Sequence, residues 1–277
     1  MRIATWNING VRARIDTALS WLKDANPDIV CLQEIKIEEA QFPTEAFGDL
    51  GYNVAVHGQK SFNGVALLSK LPFDEVVRGI PGGEDQARLI EGVFSVEGGR
   101  ALRVASVYAP NGNPTGSDKF AYKLAWMEKL AQRAVDGLAA EEMFVLAGDF
   151  NVIPTDLDAR FPAHWVNDAL YQPEARAAFR RLLYLGLTDA FRACDGDGGS
   201  YTFWDYQAGS WQKDDGIRID FALLSPQAAD HLVGATIDKR PRAWAKPSDH
   251  VPVVIELDLD AVPARQAPSA AITGRLL

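Results

Sequence analysis

The chain has 277 residues, of which 47% are hydrophobic and 23% are charged, and its 28 basic and 37 acidic residues give a formal net charge of −9 at pH 7. These proportions are those of a globular protein, so disordered, collagen-like and low-complexity classes are excluded, and the lack of any run of about 18 apolar residues predicts no membrane-spanning helix. The acidic balance argues against a protein that coats nucleic acid by bulk charge, but it is compatible with a local basic groove.

The first half of the chain contains one predicted helix among many strands. A strand is predicted over Arg2–Trp6, and a stripe of apolar residues from Ile15 to Leu22 predicts a helix that Asn26-Pro27 ends. Next comes the continuous apolar run Ile29–Gln33, which is typical of a strand covered on both faces. Further strands are predicted between closely spaced Gly- and Pro-bearing turns, which favours antiparallel hairpins, at Tyr52–Val56, Gly64–Leu68, Leu89–Val96 and Leu102–Tyr108.

The second half mixes helices and strands. Apolar residues at helical spacing predict helices from Phe120 to Ala134 and around Phe179–Leu183, and apolar runs predict strands at Met143–Ala147, Ile217–Leu224 and Val251–Leu257. No Pro/Ser/Gly-rich linker divides the chain. We therefore expect one α/β domain over residues 1–260, with two packed, mostly antiparallel sheets flanked by helices, and a flexible tail over residues 261–277.

Cysteine usage and the N-terminus bear on the compartment. Cys31 lies within an apolar strand and is expected to be a buried free thiol, and neither it nor Cys194 has the spacing of a zinc site. The first residues lack the pattern of a signal peptide. We expect a cytoplasmic protein that works as a monomer, without a membrane.

Polar residues interrupt the apolar strands at their ends. These are Asn7, Glu34, Asp149 with Asn151, Asp220, and the pair Asp249-His250. A carboxylate near buried strands costs several kcal/mol unless it converges on a cation or another partner. Oxygen ligands of this kind favour Mg²⁺ or Mn²⁺ over zinc. Each residue alone is also compatible with turn or cap chemistry, so the pattern leaves both interpretations open.

Among the histidines, His250 is the candidate for a role in catalysis. It follows Asp249 and precedes an apolar strand. Neighbouring carboxylates favour the imidazolium form, which can hold a phosphate oxygen, and Asp220 is a plausible orienting partner.

Taken together, the motifs resemble those of the exonuclease III class of abasic-site endonucleases, within the endonuclease/exonuclease/phosphatase superfamily. The resemblance runs from residue 1 to about 258 and rests on Trp6–Gly10, Leu32–Lys36, Gly51–Val54, His57–Lys60, Gly64–Lys70, Tyr108–Gly112, Gly148–Asn151, Ile217–Asp220 and Ser248–His250. It implies a four-layered α/β sandwich. It also implies Mg²⁺-dependent hydrolysis of the phosphodiester 5′ to an abasic site in duplex DNA, often with 3′–5′ exonuclease and 3′-phosphatase activity on blocked 3′ ends.

The resemblance also implies roles for individual residues. Glu34 matches the main metal ligand, and the implied metal site as a whole comprises Asn7, Glu34, Asp149, Asn151, Asp249 and His250. Asp149 matches the residue that activates water, Asn151 a stabiliser of the transition state, and Tyr108 a contact of the scissile phosphate. His250, oriented by Asp220, matches the phosphate-binding imidazole.

Contacts to DNA are expected from a second set of residues. Asn111 and Arg88 are candidates beside the phosphate, and Phe203, Trp204 and Ile219 are candidates for the walls of the sugar pocket. Ile217 stands where some relatives carry a large aromatic residue, which puts the selectivity of that pocket in question. Basic clusters that bind DNA or are simply solvated occur at Arg12 and Arg14, at Arg176, Arg180 and Arg181, and at Lys239, Arg240, Arg242 and Lys246.

Two other functions are compatible with the sequence. One is a different phosphodiesterase of the superfamily, such as a nonspecific nuclease or a lipid or inositol phosphatase, although no membrane-binding helix stands out. The other is a catalytically silent DNA-binding relative, against which the completeness of the polar set argues. Activity on abasic DNA, intact DNA and sphingomyelin separates these cases.

Overall fold

The computed structural model describes residues 1–80 and 86–260, so the predicted tail over residues 261–277 lies outside the described residues. Within these ranges the strands are β1 (Arg2–Asn7), β2 (Ile29–Gln33), β3 (Asn53–His57), β4 (Val65–Ser69), β5 (Glu75–Arg78), β6 (Leu89–Val96), β7 (Arg100–Tyr108), β8 (Met143–Asp149), β9 (Thr188–Asp189), β10 (Asp220–Leu224), β11 (Leu232–Ile237) and β12 (Val253–Leu257). The α-helices are α1 (Ile15–Ala25), α2 (Thr44–Gly48), α3 (Asp118–Ala139), α4 (Pro173–Tyr184), α5 (Ala190–Cys194) and α6 (Pro226–Ala229).

The strands form two six-stranded sheets in the described part of the chain. The first has the order β11-β12-β1-β2-β4-β3 and the second the order β5-β6-β7-β8-β10-β9. Each sheet contains one parallel pair, β1 with β2 and β7 with β8, and the other pairings are antiparallel. The predicted mostly antiparallel sheets are therefore confirmed.

Side-chain alternation along the strands explains the layered packing. In β8, Val145 and Ala147 belong to the core between the sheets, while Phe144 and Leu146 face the helical side. Strand side chains alternate between faces, so a strand that is apolar throughout must be covered on both. Helix α1 covers the first sheet, and α3 and α4 cover the second. The molecule thus has four layers, as the family resemblance implies.

Helix α1 shows how local sequence and packing agree. Its residues Trp21 and Leu22 are buried against the first sheet, and the rings of Trp21 and Trp6 meet edge to face with centroids 5.4 Å apart. The helix ends at Asn26, which adopts the left-handed conformation and donates its N–H to the Leu22 carbonyl. Asn tolerates this conformation, and the Pro27 that follows prevents continuation.

Two kinds of prediction fail. The predicted strand Ile217–Leu224 is wrong in its first half, because Ile217 forms only isolated bridges and the guanidinium of Arg218 pairs with Asp158 and Asp189, each at 2.7 Å. Strands β5, β9 and β11 were not predicted. Each is an edge strand with mixed burial, so it lacks a clear apolar pattern. No helix in the described residues is long and apolar enough to cross a bilayer.

Candidate active site

Strand register brings the predicted polar residues to one end of the two sheets. In the first sheet, Asn7 of β1 lies beside Gln33, so Glu34 follows immediately after the parallel neighbour. In the second sheet, Tyr108 of β7 lies beside Asp149 of β8. Strand β10 runs antiparallel to β8, which places its first residue, Asp220, opposite Asp149. The site is therefore shared between the sheets.

The backbone at Glu34 is held in an unusual conformation. Its φ is 50°, in the left-handed region, which costs a residue other than glycine about 1–3 kcal/mol. The Glu34 carbonyl accepts a hydrogen bond from the N–H of Gly10 at 2.7 Å, and the next N–H, of Ile35, donates to Gly64 at 3.1 Å. These bonds hold the Glu34 backbone in this conformation.

Gly148 allows strands β7 and β8 to approach each other directly before the site. A Cβ added at this position would lie 1.8 Å from the carbonyl oxygen of Val107. Only glycine permits this contact without movement of the backbone. Asp149 follows at the end of β8 and is buried.

Glu34, Asp149 and His250 converge at the centre of the site. Each offers one ligand atom, and these atoms all lie within 4.8 Å of one another. The amide nitrogen of Asn7 donates to Glu34 at 2.8 Å and to Asp149 at 3.0 Å, and the Asn7 oxygen accepts from the N–H of Asn9. Asn7 thus holds the two carboxylates together, and its role as a ligand stays a prediction.

The two central carboxylates have opposite protonation tendencies. Burial raises the pKa of Glu34, but the Lys36 ammonium, the Asn7 amide and the charge of His250 outweigh it and leave that pKa below its ordinary value. Burial is also the main influence on Asp149, and with Asp220 and Glu34 nearby it raises the Asp149 pKa against the opposing charge of His250. Glu34 is therefore the firmly ionised member and Asp149 the one that takes up a proton more readily.

His250 is held between two aspartates. Its Nδ1 is 2.8 Å from the Asp220 carboxylate and its Nε2 is 3.8 Å from the Asp149 carboxylate. Burial would lower the pKa of this imidazole, but Asp220, followed by Asp149 and Asp249, raises it to about 10. The predicted Asp220–His250 pair is thus present in the structure. The second oxygen of Asp220, Oδ1, has no partner among the described residues.

Tyr108 and Arg88 form one wall of the site. Burial, then the charges of Glu34 and Asp149, raise the pKa of the Tyr108 hydroxyl, which also makes a hydrogen bond with Glu34. The Arg88 guanidinium lies 5.1 Å from the centre of the Tyr108 ring and is fixed by Gln86 at 2.9 Å. Arg88 therefore lies at the site, as predicted, and its contact with DNA stays a prediction.

Asn151 and Asn111 lie on the adjacent loops. The amide nitrogen of Asn151 donates to the Ala109 carbonyl at 2.9 Å, and its backbone N–H donates to Asp149 at 2.9 Å. Exposed Asn111 donates to the Asn151 side-chain oxygen at 3.3 Å. The predicted neighbours Asp149, Asn151 and Asn111 are thus linked in a row.

Asp249 lies to the side of the central cluster. Its carboxylate accepts from the amide of Asn9 at 3.0 Å, and Asn9 in turn accepts from the Lys36 ammonium. Lys36 also contacts Glu34 at 2.8 Å. Lys36 belongs to the Leu32–Lys36 motif but was not predicted as a site residue; its position two residues after Glu34 is the available signal.

The predicted pocket walls differ in exposure. Phe203 is half-buried, and its ring centroid is 4.9 Å from that of His250. Trp204 is fully buried in a separate cluster and donates its indole N–H to Asp214 at 3.1 Å, so the prediction of an aromatic wall is wrong for this residue. Ile219 is buried in the same cluster as Ile217. Trp165, which sequence reasoning missed, packs against that cluster alongside Phe203.

Much of the basic side-chain surface is engaged within the protein. Arg176 pairs with Asp156, Arg181 with Glu128, and Arg240 with Asp238. Arg242 is buried and donates to the Trp204 carbonyl, whereas Arg14 reaches the Tyr206 hydroxyl near Asn9. Arg14 is therefore the cluster member that the structure links to the site.

Comparison with known proteins gives consistent matches over nearly the whole chain. The family described as the Endonuclease/Exonuclease/phosphatase family matches residues 4–250. Exodeoxyribonuclease III of Haemophilus influenzae is 34% identical over 92% of this chain and 99% of that protein. A 3′-phosphatase from Neisseria, solved bound to a product DNA hairpin, is 36% identical with a TM-score of 0.88 over 93% of this chain and 99% of that one. An AP endonuclease from Archaeoglobus fulgidus is 34% identical with a TM-score of 0.87 over 94% of this chain and 100% of that one.

Proposed function

The chain belongs to the endonuclease/exonuclease/phosphatase family, and from that premise we propose that it is a Mg²⁺-dependent DNA-repair phosphodiesterase. It hydrolyses the phosphodiester 5′ to abasic sites in duplex DNA, and it removes nucleotides and phosphates from 3′ ends. The observation that carries this proposal is the convergence of Glu34, Asp149 and His250 within 4.8 Å, with Asp220 behind the imidazole. The names of the similar nucleases and the DNA hairpin bound to one of them support DNA as the substrate.

The residues at the centre fit a hard divalent cation. Glu34 is an ionised carboxylate held by the Asn7 amide and the Lys36 ammonium, and such a carboxylate suits Mg²⁺ or Mn²⁺. Glu34 would be the main ligand, with Asp149 beside it. When bound, the ion supplies positive charge to the scissile phosphate and to the leaving 3′-oxygen. A protonated imidazole does not ligate a cation, so we assign His250 to the phosphate.

The reaction needs a base for the attacking water, donors that stabilise the negative charge growing on the phosphate oxygens, and departure of the 3′-oxygen. Asp149, which is buried beside Glu34 and His250, accepts the proton of the attacking water. The His250 imidazolium donates to a non-bridging phosphate oxygen. Tyr108, at the end of β7, and Asn151, in the loop after β8, contact the same phosphate as its charge grows. The water oxygen forms a bond to phosphorus as the P–O3′ bond breaks, and the departing 3′-oxygen takes a proton from solvent. The products are a 3′-hydroxyl and a 5′-deoxyribose phosphate.

Substrate contacts extend from the site on both sides. Asn111 and Arg88 lie next to Asn151 and Tyr108 and face the phosphate backbone in this proposal. Phe203 flanks the sugar pocket beside His250. A substrate inside the cell and two free cysteines, Cys31 and Cys194, suit the reducing cytoplasm, where we propose that the enzyme acts as a monomer.

The decisive experiment is incision of a duplex with one abasic site. We expect cleavage with Mg²⁺, none with EDTA, and none from an Asp149→Asn preparation purified in parallel, which controls for contaminating nucleases. An intact duplex, a duplex with a 3′-phosphate and sphingomyelin are tested alongside. Degradation of the intact duplex from its 3′ ends is compatible with the proposal. Equal internal cleavage of intact DNA, cleavage of sphingomyelin instead of DNA, or binding without cleavage would each refute it, in favour of a nonspecific nuclease, a lipid phosphodiesterase or a silent relative.

A further inference from the structure

Lys123 is a buried lysine that the proposed chemistry does not use. It lies on α3 with no exposed surface, although a buried charge is costly unless its hydrogen bonds are satisfied. Its Nζ donates to the backbone carbonyls of Asn151 at 2.5 Å, Asn111 at 3.0 Å and Ala169 at 3.3 Å. An ammonium has three N–H donors, so these three carbonyls use all of them.

The three carbonyls belong to three separate loops at the site. Asn111 follows β7, Asn151 follows β8, and Ala169 lies in the segment before α4. Asn151 is held at a φ of 49° beside Asp149, and its side chain contacts that of Asn111. In the described structure, Lys123 is therefore a side-chain donor that the backbones of all three loops share.

Packing around the lysine stem shows that the arrangement is close. A Cβ added at Gly112 would lie 2.6 Å from Cδ of Lys123, and Gly112 has a φ of 89°. Glycine is therefore needed there both for the backbone conformation and for the approach of the stem. The Lys123 stem and the loop at Gly112 are therefore closely packed.

We propose that Lys123 is a positioning residue of the active site, which ties the loops after β7 and β8 together so that Asn111 and Asn151 present their amides to the substrate phosphate. This inference rests on the proposed function. Because Lys123 is fully buried, it does not touch DNA itself and acts through the two asparagines. Its loss leaves three carbonyls without this donor and weakens the link between the loops. A displacement of about 1 Å at a site can cost on the order of 10²-fold in rate.

The test compares Lys123→Met with Leu130→Ala. Leu130 is buried on the same helix, in the core beneath the second sheet, and serves as the control for lost stability. At a temperature where both variants are folded, we expect kcat on the abasic duplex to fall about 10–100-fold in Lys123→Met, with KM within about threefold of wild type. Leu130→Ala should keep its kcat. Equal losses in the two variants would overturn the proposal.

A double variant tests whether Lys123 acts through Asn151. If it does, adding Lys123→Met to Asn151→Ala should reduce kcat by much less than the product of the single losses. Multiplicative losses would refute the link. Should Lys123→Met fail to fold, Lys123→Gln, which keeps two donors, replaces it, and it should retain more activity than Lys123→Ala.

A measurement without substrate separates this inference from the proposed function. Amide hydrogen exchange of segments 109–113 and 150–153 should accelerate in Lys123→Met and remain unchanged in Leu130→Ala. If the wild type fails to incise abasic DNA, the proposed function falls, while faster exchange in these segments still supports the role of Lys123 in holding the loops. Unchanged exchange in Lys123→Met refutes that role whatever the activity.

Discussion

The Asp220 carboxylate controls the charge of the His250 imidazole. Asp220 turns one carboxylate oxygen to His250 at 2.8 Å and leaves the other unpartnered among the described residues. Both groups are buried and in direct contact, so the pair is strongly coupled. Asp220 therefore favours the protonated form of His250, whose other ring nitrogen faces Asp149 at the centre of the site.

The first prediction concerns this pair in the metal-free protein. The pKa of His250 is raised to about 10, above the usual value near 6.5, so the pair stabilises the folded state fully below about pH 6.5 and that stabilisation is lost as pH rises towards 10. In EDTA, NMR titration should show His250 still protonated at pH 8. Asp220→Asn should lower this pKa by more than about one unit. A neutral His250 at pH 8 in the wild type would contradict the charge assignment.

Substitutions in the Asp220–His250 pair should also lower kcat. His250→Asn should reduce kcat by at least about 10²-fold, the scale of one oxyanion donor, and Asp220→Asn should cause a smaller loss because the ring is only misoriented. The double variant should lose much less than the product of the two effects. Strictly multiplicative losses, measured on the abasic duplex, would mean that the two residues act independently.

Glu34 gives a prediction about the metal. Glu34→Gln keeps the size of the side chain and removes the firmly ionised ligand, so the Mg²⁺ concentration for half-maximal activity should rise and kcat should fall strongly. The amide retains contact with Asn7, so thermal stability should change little. Activity titrated against Mg²⁺, with circular dichroism as the folding control, measures both. An unchanged Mg²⁺ requirement would remove Glu34 from the metal site.

The pairing of strands β7 and β8 positions two of the proposed catalytic residues. It places Tyr108 beside Asp149, and it depends on Gly148 lying against the Val107 carbonyl. An added methyl group there cannot be accommodated by a side-chain movement, since the contact is with backbone. Strand spacing at this position therefore controls the separation of two proposed catalytic groups.

Gly148→Ala should consequently destabilise the protein by at least about 2 kcal/mol, the scale of overpacking at a close contact. Gly48→Ala is the matched control, because a Cβ at Gly48 in helix α2 meets no atom within 4 Å. Urea denaturation of both variants checks the difference. Equal stabilities would show that β7 and β8 separate without cost.

Elements with a strong periodic pattern could be predicted, and those defined by distant partners could not. The runs around Cys31 and Val145 are apolar throughout because both faces of their strands are covered. Arg218, by contrast, lies between two isoleucines in an apparent strand, and only the ion pairs with Asp158 and Asp189 show why the chain departs from the sheet. Trp204 is buried with Tyr201 and Val251 and packs against Trp211, and the spacing of these residues in the sequence does not reveal that cluster. Asn7, Glu34 and Asp149 were identifiable as site residues because their strands end abruptly, but the contacts of the Asn7 amide required coordinates.

The charge of the whole molecule limits how it can bind DNA. A net charge of −9 gives no general attraction to a polyanion. Several arginines are also paired within the protein, such as Arg181 with Glu128 and Arg240 with Asp238. Binding must therefore rest on a few local contacts around the site.

We accordingly expect the affinity for abasic duplex DNA to decrease with salt, with a slope that corresponds to a handful of neutralised phosphates. Titrations between about 50 and 200 mM salt, with the inactive Asp149→Asn protein, measure the slope. Arg14→Ala should reduce it by about one unit, and Arg181→Ala, whose side chain is paired with Glu128, serves as the control. Affinity that does not depend on salt would rule out phosphate contacts as the basis of binding.

The division of the site between two sheets has a consequence for the cell. Asn7 and Glu34 come from the first sheet, and Tyr108, Asp149 and Asp220 come from the second. A chain still emerging from the ribosome, or a damaged copy in which the sheets have separated, therefore lacks part of the proposed catalytic site. The proposed catalytic residues are brought together only in a chain whose two sheets have both folded and packed against each other.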